Sequence, residues 1–179
     1  ETFIRVGTTG SIQESIHLGD VIINKASVRM DGASKNYAPV EYPGIADLET
    51  TMELKQAAAE LGISCHMGIS VSTDSFWPGQ ERYDSFGGYV LRRLQGSMDE
   101  FRHLGCTNYE MENATLFTVT SVLGLKASSL CGVVAQRTSG EAVASRDVYL
   151  QAEEKFRKIV RKMLENRSNA GENRLEGAD

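Results

Sequence analysis

The chain has 179 residues, of which 41% are hydrophobic and 24% are charged, as in a globular domain with a sizeable core. Its formal net charge of −5 lacks the basic footprint of a nucleic-acid-binding protein. No apolar run approaches the ~18 residues that a membrane helix needs, and we recognise no secretory signal. We therefore expect no nucleic-acid partner, no membrane partner and, because its three cysteines are widely spaced, a cytoplasmic protein.

The first segment of the chain is strand-like and then becomes rich in glycine. Phe3–Val6 predicts a strand, and Gly7–Gly10 predicts a turn after it. The turn offers backbone N–H groups and two hydroxyls that can hold an anion, and Arg5 could present a fork of donors to phosphate oxygens. An ordinary turn at the end of a strand explains the same residues. Because the chain begins at Glu1 directly on this strand, we expect the natural protein to have further residues upstream.

Strand-like and helix-like segments then alternate. Val21–Val28 predicts a strand, and the following segment 29–43 predicts an irregular loop because it contains a glycine and two prolines. Apolar residues at helical spacing, followed by a glycine, predict a helix over Asp47–Leu61. Ile63–Ser72 predicts the next strand, which is mostly buried.

The long loop after that strand, Thr73–Ser85, mixes aromatic residues with an amide and a guanidinium. A planar heterocycle needs stacking surface together with donors and acceptors in its plane, and this loop supplies both. Loops of this length in compact domains are usually functional, although a well-packed loop with a surface salt bridge is the alternative. The hypothesis of a base-binding loop depends on Phe76, Trp77, Gln80, Arg82 and Tyr83.

Two glutamates flank Met111 where the predicted strand Cys106–Tyr109 gives way to the predicted helix Glu112–Leu123. Burying an unpaired carboxylate is costly, and ligands of α/β sheets bind at the carboxyl ends of strands. A carboxylate there can accept two hydrogen bonds from the diol of a ribose. It can equally satisfy the free backbone N–H groups at the start of a helix. The sequence leaves both interpretations open for Glu110 and Glu112.

Four further elements are predicted outside this turn. One of them is a short helix that begins at Ser97, which forms a capping box with Glu100, three residues later. The small, polar, glycine-containing segment Arg137–Arg146 is a candidate lid, and residues 168–179 predict a disordered tail. The four elements are the short helices Tyr89–Leu94 and Ser97–Leu104, the strand Lys126–Gln136, and a last helix from Ser145 or Asp147 to about Asn166.

The order of these elements predicts the fold class. Strands that alternate with helices indicate βαβ units, in which helices pack on a sheet with parallel strands. We therefore predict an α/β fold with a mixed, mostly parallel central sheet flanked by helices. No internal repeat or low-complexity linker interrupts the sequence, so residues 1–179 predict a single domain.

Four segments in combination point to a known family: Phe3–Gly10, Phe76–Asp84, Asn108–Glu112 and Gly132–Thr138. Together they resemble the nucleoside phosphorylase superfamily and, among its members, the bacterial uridine phosphorylases. The glutamate–methionine–glutamate element marks the superfamily as a whole. The pairing of Gln80 with Arg82 in an aromatic Pro-Gly loop is the more specific sign of a pyrimidine site. The resemblance extends from Thr2 to about Leu164.

The resemblance implies reversible phosphorolysis of uridine to uracil and ribose 1-phosphate. It implies catalytic roles for Arg5, Thr8, Arg82 and Glu112, with phosphate bound by Arg5 and Thr8, ribose by Thr8, Met111 and Glu112, and the base by Phe76, Gln80, Arg82 and Glu110. Cleavage of the N-glycosidic bond builds cationic character on the sugar and negative charge on the departing base. Bound phosphate would attack the sugar, and Arg82 would stabilise the leaving uracil. Phosphate is a co-substrate, and no metal or organic cofactor is implied.

Differences from the family pattern define the alternatives. Purine-specific members use an aspartate after the strand that contains Val134 and Ala135, and its absence favours a smaller base. A purine nucleoside phosphorylase or nucleosidase remains the first alternative. Chains of the family extend further upstream into a phosphate-binding loop, so we expect this sequence to be the C-terminal part of a phosphorylase, and an inactive nucleoside-binding fragment is the second alternative. The resemblance also implies a homo-oligomer, a hexamer built from dimers.

Overall fold

Seven strands and four helices make up the part of the chain, residues 1–138 and 140–176, that the computed structural model describes. The strands are β1 (Thr2–Ser11), β2 (Val21–Met30), β3 (Gly44–Ile45), β4 (Cys65–Thr73), β5 (Asn108–Glu110), β6 (Lys126–Gln136) and β7 (Ala142–Val143). The helices are α1 (Leu48–Glu60), α2 (Ser97–His103), α3 (Asn113–Val122) and α4 (Arg146–Glu176).

The sheet is mixed and closes on itself. Its strand order is β3-β2-β4-β5-β1-β6-β7, and β2 also pairs with β6, so β2, β4, β5, β1 and β6 form a ring. The parallel ladders β1–β6 and β2–β4 run over nearly the full length of their strands, whereas the antiparallel ladders are short. The predicted α/β class with a mixed, mostly parallel sheet is therefore confirmed. The closure was not predicted, because strand periodicity does not specify which strands become neighbours.

Helices α1 and α4 pack together against β2 and β6. Asp47 begins α1 as predicted, because its carboxylate accepts a hydrogen bond from the backbone N–H of Thr50 at 2.8 Å. The packing of the two helices on the strands excludes water from the largest apolar cluster of the described chain. Its buried members are Val21, Ile23, Leu54, Ala57, Ala58, Leu130, Phe156, Ile159 and Met163.

The glycine-rich segment Gly7–Gly10 is part of β1 and is not the predicted turn. The neighbouring strand β6 pairs with it in parallel through the whole segment, and the register shifts between Thr9 and Gly10. The parallel partner thus supplies backbone hydrogen bonds that hold the glycines in an extended conformation. As a result, Arg5 and Thr8 lie on one continuous strand.

Helix α2 begins as predicted, but its cap is different. Its N-cap residue is Gly96, and Ser97 makes no capping hydrogen bond. Instead, the carboxylate of Glu81 accepts from the backbone N–H groups of Gly96 at 2.5 Å and Met98 at 2.8 Å. A residue of the long loop therefore caps the helix from a distance in sequence, which fixes the loop that contains Gln80.

Two other helices differ in length from their predictions. Only Arg92–Leu94 of the predicted helix Tyr89–Leu94 is helical, as a short 3₁₀ turn. Helix α4 continues past Asn166 to Glu176, so most of the predicted tail is helical, and residues 177–179 lie outside the described residues. Although α4 is long, neither it nor any other described helix is apolar enough to cross a membrane.

Candidate active site

A single cavity of about 250 Å³ brings the predicted site residues together. They come from β1, from the loop after β4, and from the turn between β5 and α3. All eight predicted side chains line it: Arg5, Thr8, Phe76, Gln80, Arg82, Glu110, Met111 and Glu112. A larger groove of about 700 Å³ lies between α1 and α4, but none of the predicted residues lines it.

Glu110 is buried and holds the turn that leads into α3. One carboxylate oxygen accepts hydrogen bonds from the backbone N–H groups of Glu112 at 2.8 Å and Asn113 at 2.7 Å. The other oxygen accepts a hydrogen bond from the hydroxyl of Ser72 and another from the hydroxyl of Ser70 at 3.0 Å. The helix-capping interpretation therefore describes Glu110. Its predicted contact with a base stays a prediction.

Glu112 faces the cavity from the same turn and pairs with Arg5. The Glu112 side chain is 58% exposed and makes no capping hydrogen bond to α3, whereas Arg5 is 16% exposed. One terminal nitrogen of Arg5 pairs with the carboxylate of Glu112, and the other donates to the thiol sulfur of Cys131 at 2.9 Å. A Cβ on Gly7 would lie 3.0 Å from the Arg5 guanidinium. The glycine thus leaves the space that this guanidinium occupies.

Arg5 keeps a positive charge at this end of the cavity, next to the carboxylates of Glu110 and Glu112. Burial lowers the pKa of Arg5, but the neighbouring Cys131, Glu110 and Glu112 raise it by more, so the guanidinium stays charged. Burial also raises the pKa of Cys131 to about 11, so its thiol is neutral at pH 7. Next to this fixed positive charge the cavity meets a wider groove of about 530 Å³ that shares Arg5, Thr8 and Glu112 with it.

At the other end of the cavity, Arg82 is held from several sides. Its side chain is 4% exposed, and its guanidinium carbon lies 3.9 Å from the centre of the Phe76 ring. One terminal nitrogen, Nη1, donates to the side-chain oxygen of Gln80 at 2.6 Å and to the carbonyl of Phe76 at 3.3 Å. Nε and Nη2 donate to the two carboxylate oxygens of Glu141 at 3.2 and 2.6 Å. Of the five N–H groups of this arginine, four have partners among the described residues, and one on Nη2 is left for a ligand.

Two residues outside the eight predicted side chains complete the base end. Glu141 belongs to the candidate lid, and the antiparallel pairing of β7 with the end of β6 places it next to Arg82. Arg137 is buried and donates to the backbone carbonyl of Gln80 at 2.8 Å, while burial and the charge of Arg82 lower its pKa. The available signal in the sequence was that Glu141 is the only acidic residue between Arg137 and Arg146.

The lining groups are suited to binding an anion, a diol and a planar base. The guanidinium of Arg5 and the hydroxyl of Thr8 can hold an anion, and the exposed carboxylate of Glu112 can accept from two hydroxyls. The amide of Gln80 and the guanidinium of Arg82 present in-plane hydrogen-bonding groups. Among the side chains that the structure describes, those of residues 1–138 and 140–170, no group of three or more His, Cys, Asp or Glu is placed to hold a metal ion.

The two neighbouring glutamates should respond differently to the same substitution. Glu110→Gln places an amide NH₂ against buried donors, so we expect the free energy of unfolding to fall by about 2–3 kcal/mol. Glu112→Gln, the comparison variant, removes the charge of a mostly exposed carboxylate that pairs with Arg5, and it should lower the free energy of unfolding by less than Glu110→Gln does. Urea denaturation followed by circular dichroism measures both values. Equal losses in the two variants would contradict the capping role of Glu110.

Sequence comparisons with known proteins bear on the family to which the chain belongs. A model of the phosphorylase superfamily matches residues 1–165. The chain is 47% identical over 159 residues to a uridine phosphorylase of Escherichia coli (strain K12), a match that covers 89% of the chain and 62% of the relative. It is 44% identical over 173 residues to a uridine phosphorylase of Thermococcus kodakarensis, covering 96% of the chain and 62% of the relative.

A more distant relative is named for a different activity. The chain is 31% identical over 140 residues to a guanosine phosphorylase of Halorubrum lacusprofundi, covering 78% of the chain and 52% of that protein. The matches to the two uridine phosphorylases show that the chain spans about 62% of the length of each of these relatives. The resemblance found in the sequence is confirmed: the chain belongs to the phosphorylase superfamily.

Proposed function

We propose that the protein is a uridine phosphorylase, which converts uridine and phosphate reversibly to uracil and ribose 1-phosphate. The single observation that carries this proposal is the base end of the cavity, where Gln80 and Arg82 lie side by side against Phe76. The 44–47% identity to proteins named uridine phosphorylases supports it.

The hydrogen-bonding groups at the base end complement uracil. Uracil presents an imide N–H between two carbonyl oxygens. Among the described residues, the side chain of Gln80 bonds only through its oxygen, so its NH₂ group can donate to a carbonyl of the base. The same oxygen has a second lone pair that can accept from the imide N–H, and the remaining Nη2 proton of Arg82 can donate to a carbonyl. This pattern matches uracil. Cytosine does not fit it, because its ring nitrogen accepts where the imide of uracil donates, and its amino group donates where a carbonyl of uracil accepts.

The opposite end supplies the groups that phosphorolysis needs. Phosphate held by Arg5 and Thr8 attacks the anomeric carbon of ribose while the bond to uracil breaks, and uracil leaves with the bonding electron pair. Glu112 accepts hydrogen bonds from the ribose hydroxyls, beside Met111. Arg82 stabilises the negative charge on the departing base, a contribution of a few kcal/mol for a well-placed donor. In this proposal phosphate is a co-substrate and the arginines supply the charge stabilisation, so the chemistry needs no metal or organic cofactor.

The lining from β6 supports a pyrimidine over a purine. Val134 and Ala135 line the cavity, and the resemblance implies an aspartate after their strand in purine-specific members. That aspartate would protonate a purine ring nitrogen, and a methyl group has no proton to give. The similarity to a guanosine phosphorylase makes a purine nucleoside the second candidate substrate.

A release assay tests the proposed function. Purified protein is incubated with uridine, cytidine or inosine, with and without phosphate, and the free base is measured by chromatography. We expect release of uracil that requires phosphate, with kcat/KM at least about 100-fold lower for cytidine and inosine, because their edges leave buried donors unpaired. Preferential cleavage of inosine would overturn the pyrimidine assignment. Uridine binding without turnover would overturn the proposed activity and support the alternative, an inactive nucleoside-binding fragment.

Arg82→Ala should separate base recognition from phosphate recognition. We expect kcat/KM for uridine to fall by about 100-fold or more, because a donor to the leaving group is lost, while KM for phosphate changes by less than about twofold. Steady-state kinetics with each substrate varied in turn measure both values. Arg93→Ala, at an exposed position, is the control. Wild-type uridine kinetics in Arg82→Ala would remove this arginine from the base site.

We also propose a role in pyrimidine salvage in the cytoplasm and a homo-hexamer built from dimers. The release of a reusable base and a sugar phosphate supports the first. The three free cysteines, two of them buried, suit a reducing compartment. The family resemblance supports the assembly, which light scattering coupled to size-exclusion chromatography measures directly.

A further inference from the structure

Two buried arginines of the base end share one carboxylate. The side chains of Arg82 and Arg137 are 4% and 6% exposed, and Glu141 is 32% exposed. One carboxylate oxygen of Glu141 lies 2.6 Å from Nη2 of Arg82, and the other lies 3.8 Å from Nε of Arg137. A carboxylate from the candidate lid therefore lies against the cationic groups that surround the base site.

This carboxylate neutralises charges that would otherwise be costly. A buried guanidinium without a counter-charge is strongly destabilising. Among the described residues, Glu141 is the only acidic side chain within salt-bridge distance of Arg82 or Arg137. Glu81 is the other nearby carboxylate, and it accepts hydrogen bonds from the start of α2 instead. Removal of Glu141 therefore leaves both guanidiniums without a counter-charge among the described residues.

The contact also sets the orientation of Arg82. Glu141 binds the edge formed by Nε and Nη2, while Gln80 and the carbonyl of Phe76 hold Nη1. A two-point contact of this kind fixes the plane of the guanidinium as well as its position. The one N–H on Nη2 that has no partner in the described part of the chain is then directed by the three residues together.

We propose that Glu141 is a positioning residue for Arg82, which holds the guanidinium so that its remaining Nη2 proton meets a carbonyl oxygen of the base. This inference rests on the proposed function. It assigns to the segment Arg137–Arg146 a role in base recognition, because the residue that orients Arg82 comes from this segment. Loss of Glu141 weakens recognition of uridine and leaves the phosphate end, formed by Arg5 and Thr8, unchanged.

The test compares Glu141→Gln and Glu141→Ala with the wild type in phosphorolysis of uridine. We expect KM for uridine to rise by about tenfold or more, as for the loss of a buried charge-assisted contact, while KM for phosphate changes by less than about twofold. Glu141→Asp keeps the charge and should recover part of the loss. Glu153→Gln is the matched control, because Glu153 pairs with Arg157 on the surface of α4.

A double variant distinguishes positioning from a general structural effect. If Glu141 acts through Arg82, Arg82→Ala combined with Glu141→Ala should be no worse towards uridine than Arg82→Ala alone. Additive losses, or an unchanged or lower KM for uridine in both single variants, would overturn the inference while the wild-type enzyme still cleaves uridine. A wild-type protein that neither binds nor cleaves uridine would instead overturn the proposed function, and the inference with it.

Discussion

The site depends on the buried carboxylate of Glu110. It accepts two backbone hydrogen bonds from the start of α3 and faces the hydroxyls of Ser70 and Ser72 on β4. A buried carboxylate is tolerated only when its oxygens are satisfied, and here the donors come from two different elements. The interaction therefore fixes the turn between β5 and α3. This turn determines that the neighbouring carboxylate, Glu112, faces the cavity.

Two arginine–glutamate pairs then define the ends of the cavity. Arg5 pairs with Glu112 at one end, and Arg82 pairs with Glu141 at the other. In the proposed reaction these pairs have different roles. Phosphate and the ribose diol take up the contacts that Arg5 and Glu112 make with each other, so both substrates favour the same rearrangement. The pair of Arg82 and Glu141 stays in place and directs a donor to the base.

The sequence predicted the parts of the site that depend on local pattern. Glutamates at a strand-to-helix transition, and an amide next to a guanidinium in an aromatic loop, are visible in short windows. All eight predicted side chains line one cavity, although their individual roles remain proposals. The start of α1 at Asp47 and the bounds of β6 were also predicted, because capping residues and apolar runs are local signals.

Other features depend on partners that are distant in sequence. The extended conformation of Gly7–Gly10 depends on pairing with β6, and the closure of the sheet depends on β2 meeting β6. The cap of α2 comes from Glu81, so the capping box predicted at Ser97 was wrong. Glu141 has a recognisable position only after β7 pairs with β6. No short window of the sequence contains these contacts.

The most direct test of the account is a crystal structure of the protein with uridine and sulfate, where sulfate stands in for phosphate. We expect a carbonyl oxygen of the base about 3 Å from Nη2 of Arg82, and the ribose hydroxyls at the same distance from Glu112. Sulfate should lie against Arg5 and Thr8. Uridine bound elsewhere, such as in the groove between α1 and α4, would contradict the central claim that this cavity binds the nucleoside.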